Sequence, residues 1–211
     1  MIEATLATGI ALFARAVTGV RGNWVGCAPE LSRRVYFANH TSHGDFVLIW
    51  SVLPPAVRRT TRPVAAADYW RVGRIRRFCG ERLFRAVLID RNPAKIGAHP
   101  VHVMAEALRE GTSLILFPEG TRNTTGAPLL PFKAGLYHLA RAEPTVECVP
   151  VWIDNLNRVM PKGEVLPVPL LCSVSFGEPL NPREGEGKQA FLARARAALL
   201  SLAPSHPWTL A

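Results

Sequence analysis

The run Asn39-His40-Thr41-Ser42-His43-Gly44-Asp45-Phe46 sets two imidazoles and a carboxylate within a few residues of one another. An imidazole titrates near neutrality, and a carboxylate beside it fixes its tautomer, so such a pair can draw a proton from an alcohol. The spacing is informative. On one continuous helix His40 and Asp45 would stand about 140° apart and could not meet, so pairing requires His40 to lie before the helix. Ser42-x-x-Asp45 reads as the start of a capping box that bends the chain at Thr41 and Ser42. In that arrangement Asp45 accepts from one nitrogen of His40 while the other faces outward as a base. The same residues also fit a plainer reading, in which Asp45 only caps a helix and both histidines are surface turn residues.

The elements that must position this turn are legible on both sides of it. Val35-Tyr36-Phe37 reads as a strand within 34–38. Phe46 to Leu53 is apolar on every side, which marks a buried helix stopped by Pro54-Pro55. Further along, Arg62 to Ala67 reads as a short strand, and Asp68 as the N-cap of an arginine-crowded helix over 69–79 that Gly80 closes. Ala86 to Ile89 is a strand ending in Asp90-Arg91, and Pro93 opens the next element. A helix over Val101 to Glu110 closed by Gly111 and a strand over Ser113 to Phe117 follow. After a loop over 123–131 come a helix near 133–142 and a strand at 146–153, then a proline-rich stretch, a strand near 170–176 and a helix over 187–202. Strands alternating with helices predict a single α/β domain. Its sheet is mostly parallel but mixed, with helices on both faces.

Residues 2–20 form an amphipathic pattern, with Ile2, Leu6, Ile10, Phe13, Val17 and Val20 at intervals of three and four. Either the helix packs on its own domain or it lies in a membrane surface. Residues 21–32 read as a connector, so the expected organisation is a helix over 1–20, one domain over 21–203 and a loose tail over 204–211. With 211 residues, 48% of them hydrophobic, the chain fills one core. The net charge of +9, carried almost wholly by arginine with lysine only at 95, 133, 162 and 188, calls for an anionic partner. Nucleic acid is not the expected one, because no nucleic-acid motif or aromatic-basic interleaving is present. Cys27, Cys79, Cys148 and Cys172 have neither disulfide-framework nor zinc-type spacing, which fits reduced thiols in the cytosol. The N-terminal segment has no positive charge before Arg15 and no apolar run of spanning length, so neither a secretory signal nor a membrane span is expected.

Several strands end in polar residues: Asn39-His40, Asp90-Arg91 and Glu119-Gly120-Thr121-Arg122. If these strands are parallel, the residues lie along one sheet edge, where Arg91 and Arg122 could hold a phosphate between two bidentate forks. Gly120 allows close backbone approach, and Glu119 is an unusual charge at the end of a buried strand. The order and spacing of these motifs carry a resemblance. NHTSHGD at 39–45, AVLIDR at 86–91, FPEGTR at 117–122 and VPVWI at 149–153, with PFKAG at 131–135, resemble the glycerophospholipid acyltransferase family. His40-x4-Asp45 alone is a weak signal, but followed about eighty residues on by FPEGTR it is a strong one.

The resemblance implies acyl transfer from acyl-CoA or an acyl carrier protein to the free hydroxyl of a lysophospholipid. It needs no cofactor beyond that co-substrate, and no metal. It implies His40 as general base, Asp45 as its orienting partner, and Arg91, Glu119, Gly120, Thr121, Arg122 and Lys133 as substrate-binding residues. Val149, Pro150 and Val151 would line the acyl or acceptor site. Backbone N–H groups after Ser42 or near Gly120 could stabilise an oxyanion. The protein would then work at the cytosolic face of an anionic membrane, docked through residues 2–20 and the arginines of 71–85. Two rival readings use the same residues differently. One is a metal-dependent hydrolase with His40, His43 and Asp45 as ligands; the other is a lipid- or nucleic-acid-binding module built on the arginine-rich helix.

Overall fold

The computed structural model describes residues 2–90, 99–154 and 172–204. Their seven strands form one mixed sheet: β1 (Arg21–Trp24), β2 (Arg34–Ala38), β3 (Thr61–Ala66), β4 (Val87–Ile89), β5 (Ser113–Leu116), β6 (Glu147–Asp154) and β7 (Ser173–Phe176). The spatial order is β1-β7-β6-β2-β5-β3-β4. Every pairing is parallel except that of β6 with β7, so β1 and β7 run against the other five. The expected mostly parallel mixed sheet is the one observed.

β2 lies at the centre, between β6 and β5, and all five of its residues are buried. A strand covered on both faces is apolar throughout rather than alternating, which is why Val35-Tyr36-Phe37 stands out in the sequence. Arg34, the polar exception, is buried at the strand's start and donates to Glu147 Oε2 at 2.7 Å. One face of the sheet is covered by α1 (Ile2–Thr18), α2 (Asp45–Val52), α3 (Pro55–Thr60) and the segment from Ala67 to Phe84. The other is covered by α6 (Pro100–Arg109), α7 (Gly135–Ala142) and α8 (Lys188–Leu200).

The structure departs from the sequence reading at four places. The expected connector over 21–32 contains β1, a polar edge strand whose partner among the described residues is β7, about 150 residues away in the chain, so no local pattern reveals it. Pro54-Pro55 does end α2, but Pro55 also opens α3, where its missing N–H costs nothing. The single helix expected over 69–79 is instead α4 (Ala67–Trp70) and α5 (Arg74–Arg77), separated by Gly73 at φ +79° and continued by a π-helical turn, Phe78–Leu83. Asp68 does not cap that helix from outside but accepts from Tyr69 N within it, and Gly80 does not close it. Gly80 sits buried under Trp70, where a Cβ would come within 2.9 Å of the indole. Lastly, α7 begins at Gly135 rather than 133. Residue 133 is still loop because its N–H bonds to Pro118 O at 2.8 Å.

The N-terminal helix splits the stripe read from its sequence. Ala11, Ala14 and Thr18 are buried, with Ala7 and Ile10 packed against the core, so the face toward α2 is made of small residues that allow close approach. Leu6, Leu12 and Phe13 are left 42%, 61% and 70% exposed. The element expected to open at Pro93 and the proline-rich stretch before β7 lie outside the described residues, as does the tail beyond 204.

The end of β2 is tied to β6 by a side chain. Asn39 Nδ2 donates to Ile153 O at 2.9 Å and Asn39 Oδ1 accepts from Ile153 N at 2.8 Å, so the amide extends the ladder by one step where β2 turns away. Asn39 is 4% exposed, and its removal would orphan two buried backbone groups. Asn39→Ala is therefore expected to lower stability by about 2–4 kcal/mol, read by urea denaturation. A loss below about 0.5 kcal/mol would show that the amide carries no such bond.

Candidate active site

His40 follows Asn39 directly, at the carboxyl end of the central strand. Its backbone is held on both sides by the loop that leaves the neighbouring strand β5. His40 N donates to Glu119 Oε1 at 2.9 Å, and Asn123 N donates to His40 O at 2.6 Å. With the main chain fixed, the ring is fixed too. It stacks on Phe117, the first residue past β5, with centroids 4.2 Å apart and planes 19° apart. Nδ1 lies 2.8 Å from Asp45 Oδ2. The ring is 19% exposed, and Nε2 has no partner among the described residues.

Asp45 is completely buried, and its Oδ2 collects three contacts: the His40 ring, Thr41 N at 2.7 Å and Ser42 N at 2.9 Å. The chain therefore bends back at Thr41 and Ser42 as the sequence implies. Only half of a capping box forms, however. Asp45 reaches back to Ser42 N, but Ser42 Oγ accepts from Gly44 N at 3.3 Å, and Gly44 rather than Ser42 stands at the N-cap of α2. Asp45 thus serves the turn and the imidazole together, and the surface-turn reading of His40 does not hold.

Glu119 departs from its expected role as a substrate ligand. It is 2% exposed, and both oxygens are taken by main-chain donors, Oε1 by His40 N and Oε2 by Leu130 N at 2.7 Å. Burial raises its pKa, opposed by those two bonds and by the nearby His40. Its place is to join the turn after β2, the loop after β5 and the segment before α7. Gly120 adopts φ +69° in the turn closed by its N–H on Phe117 O at 3.0 Å. Lys133 lies over it so closely that a Cβ there would come within 2.7 Å of the lysine side chain. Thr121 and Arg122 are exposed on the same loop. Of the N–H groups that the sequence offers for an oxyanion, after Ser42 and near Gly120, those of Gly44, Asp45 and Gly120 are engaged within the turns.

Arg91 lies outside the described residues. Val149 and Val151, expected to line the site, are fully buried in β6, and Pro150 is buried between them opposite Phe37. They form the core of a central strand because both of its faces are covered. His43 is turned away from Asp45 and stacks on Tyr69, with centroids 4.9 Å apart. Burial lowers its pKa, and the charges of Arg122, His40 and Arg76 lower it further against the pull of Asp45. Among the described residues no three His, Cys, Asp or Glu side chains are placed to hold a metal ion. The sequence reading did not single out the parts played by Phe117, Asn123 and Tyr69. Asn123 alone offered a signal, being a polar residue directly after FPEGTR.

A family model described as Acyltransferase matches residues 27–154, more than half of the chain. The chain belongs to this acyltransferase family. The 1-acyl-sn-glycerol-3-phosphate acyltransferase of Salmonella typhimurium is 32% identical over 137 residues, which cover 62% of this chain and 50% of that protein. The human 1-acyl-sn-glycerol-3-phosphate acyltransferase alpha is 30% identical over 181 residues, 82% of this chain and 60% of that one. The chain spans about half the length of the curated relatives it matches. The crystal structure of the 1-acyl-sn-glycerophosphate (LPA) acyltransferase from Thermotoga maritima superposes with a TM-score of 0.71 at 20% identity, covering 96% of this chain and 81% of that one. The fold is therefore the glycerolipid acyltransferase-like fold expected from the motifs.

Glu119→Gln puts an amide N–H₂ against one of two backbone donors, so it is expected to cost about 1–3 kcal/mol of stability. The pH dependence has a definite sign. A carboxylate whose folded pKa is raised contributes stability that is present below its unfolded pKa and lost as pH rises through the folded one. The gap between wild type and Glu119→Gln should therefore shrink as pH rises above the ordinary glutamate pKa of about 4.3, measured by denaturant unfolding. A gap that widens with pH would mean that Glu119 is stabilised as the anion.

Proposed function

We propose that the protein moves a fatty acyl group from a thioester, on coenzyme A or acyl carrier protein, to the free hydroxyl of a lysophospholipid. Its acceptor is 1-acylglycerol-3-phosphate and its product phosphatidic acid. The observation that carries this reading is the His40 imidazole, 2.8 Å from a fully buried carboxylate and bonded by its own main chain to the loop bearing Arg122. The names of the family relatives support the acceptor.

Asp45 accepts a hydrogen bond from Nδ1–H, which leaves Nε2 as the basic nitrogen. As the acceptor hydroxyl attacks the thioester carbonyl, Nε2 takes its proton, and the Asp45 carboxylate stabilises the imidazolium. Collapse of the tetrahedral intermediate breaks the C–S bond, and the imidazolium returns the proton to the departing sulfur. No enzyme nucleophile is needed, because a thiolate is already a good leaving group. Burial pushes the Cys148 thiol up to about 12 and that of Cys172 to about 11, so neither supplies a thiolate at neutral pH. Arg122, Thr121, Lys133 and the backbone at Gly120 form the acceptor-phosphate side of the site. Arg91 joins them on the strength of the family resemblance.

The acceptor and product are lipids, so the site works against a bilayer, and we place it at the cytosolic face. No helix among the described residues is long and apolar enough to cross a membrane. The exposed Leu6, Leu12 and Phe13 of α1 supply shallow insertion, joined by Val72, Ile75 and Phe78 in the segment that α1 packs against. Of the arginines in that segment, Arg71, Arg77 and Arg82 are paired with Asp90, Glu81 and Glu3. Arg74 and Arg85 have no carboxylate partner among the described residues, and at about 1 kcal/mol each they strengthen binding to anionic lipid about thirtyfold.

Mass spectrometry of products from a panel of lysolipids, offered with both donors, tests the reaction. His40→Ala should lower turnover by about 100- to 10,000-fold with the fold intact, and Asp45→Asn should be severely impaired. His43→Ala should retain turnover. Equal loss at His40 and His43, or inhibition by a chelator, would favour the metal-dependent hydrolase instead. Vesicle co-sedimentation tests the membrane surface. A Leu12→Ser, Phe13→Ser double variant should bind more weakly at every salt concentration, whereas the wild type's preference for anionic vesicles should fade as salt rises. Wild-type protein that ignores anionic vesicles at low salt would contradict the docking.

A further inference from the structure

A second group of side chains meets the His40 turn from the far side of the sheet edge. Tyr69, just past β3, lays its ring on His43 with planes 12° apart. Arg76, from α5, holds its guanidinium 4.7 Å from the centre of the Tyr69 ring. Arg122 stands on the loop after β5, next to Asn123, whose N–H holds His40 O at 2.6 Å, and its charge and that of Arg76 both act on His43. Two cations from separate segments thus act on one ring. The carboxylates of the neighbourhood are committed elsewhere, Asp45 to His40 and Glu119 to two backbone donors. Among the described residues neither Arg76 nor Arg122 has a carboxylate partner, whereas Arg71, Arg77 and Arg82 each have one. Unneutralised cations that act on one site favour the entry of an anion there.

We infer that Arg76, held in place by Tyr69, is a further cation of the acceptor-phosphate site that holds Arg122, and that its added fork selects a phosphate monoester over a diester. The inference rests on the proposed lysophospholipid acceptor. A phosphate monoester carries close to two negative charges at neutral pH, and each guanidinium offers a bidentate fork to its oxygens. A diester carries one charge and one fewer free oxygen, so it leaves one fork only partly filled. The stack gives Tyr69 its part: an arginine on a long flexible stem is pre-ordered when its plane lies on an aromatic face. Tyr69 is a positioning residue and touches no reacting atom.

The test uses a short-chain lysophosphatidate and the matching lysophosphatidylglycerol in neutral detergent, so that membrane charge does not enter. Steady-state KM and kcat are measured for each acceptor and for the donor. Arg76→Gln should raise the monoester KM about 10- to 100-fold while the diester and donor KM values stay within about twofold. Arg76→Lys should fall between Gln and wild type. Tyr69→Phe keeps the aromatic face and should match wild type, whereas Tyr69→Ala should behave like Arg76→Gln. Arg76 is exposed, and thermal melts of each variant separate folding from binding. An equal rise for both acceptors, a rise confined to the donor, or no rise would overturn the assignment. If the wild type esterifies no lysophospholipid, the proposed reaction fails on its own account. Equilibrium binding of the monoester lipid to wild type and Arg76→Gln then decides the role of Arg76 by the same ratio.

Discussion

A carboxylate with no exposed surface is costly to keep ionised unless donors surround it. Asp45 gathers its donors on one oxygen, Oδ2, through the turn folded around it, while Oδ1 lies buried with no partner among the described residues, and much of the site follows from this. The backbone N–H groups of Thr41 and Ser42 must point inward, so the chain reverses there. α2 must begin at Asp45, and the His40 ring must present Nδ1 to the same oxygen. The outward direction of Nε2 is a consequence of that burial.

The sheet order explains how residues so far apart in sequence hold this turn. β2 lies between β5 and β6, so its carboxyl end is flanked by theirs. From the β5 side come Phe117 under the ring and the Glu119 and Asn123 bonds to the His40 main chain; from the β6 side comes the Asn39 clamp on Ile153. From β3, next beyond β5, the chain supplies Tyr69 to the second histidine. The layer that packs over this face also carries α1 with its exposed Leu12 and Phe13. α6, α7 and α8 complete the opposite face. The His40 turn, which leads into α2, and the apolar surface therefore share one layer.

What the sequence made legible follows from how local each signal is. β2, β5 and β6 announce themselves as apolar runs because both their faces are covered. The bend at Thr41 and Ser42 was readable because a five-residue spacing permits no helix. β1 was hidden, since its polar residues gain their pairing from a strand near the other end of the chain. Gly80 read as a helix stop because sequence shows a glycine's freedom but not the indole that lies on it. Glu119 looked like a ligand because an isolated charge at a strand end looks available; its two partners, at 40 and 130, are remote in the chain. The α1 stripe was read as one face. Helical periodicity locates apolar residues but does not say that alanines would be buried while Leu12 and Phe13 stay outside. Arg76 could not be told from its neighbours until its guanidinium was seen over the Tyr69 ring.

The central claim is that the Asp45 contact fixes His40 as the Nδ1–H tautomer with a bare, basic Nε2. Nitrogen NMR of protein carrying labelled histidine reads that proton directly, with the His40→Gln variant assigning the signals. At about pH 9, where imidazoles are neutral, the His40 Nδ1 should resonate as the protonated nitrogen and Nε2 as the unprotonated one, and Asp45→Asn should remove that bias. A proton found on Nε2 in the wild type would contradict the account, because the nitrogen facing the acceptor would then have no lone pair with which to take its proton.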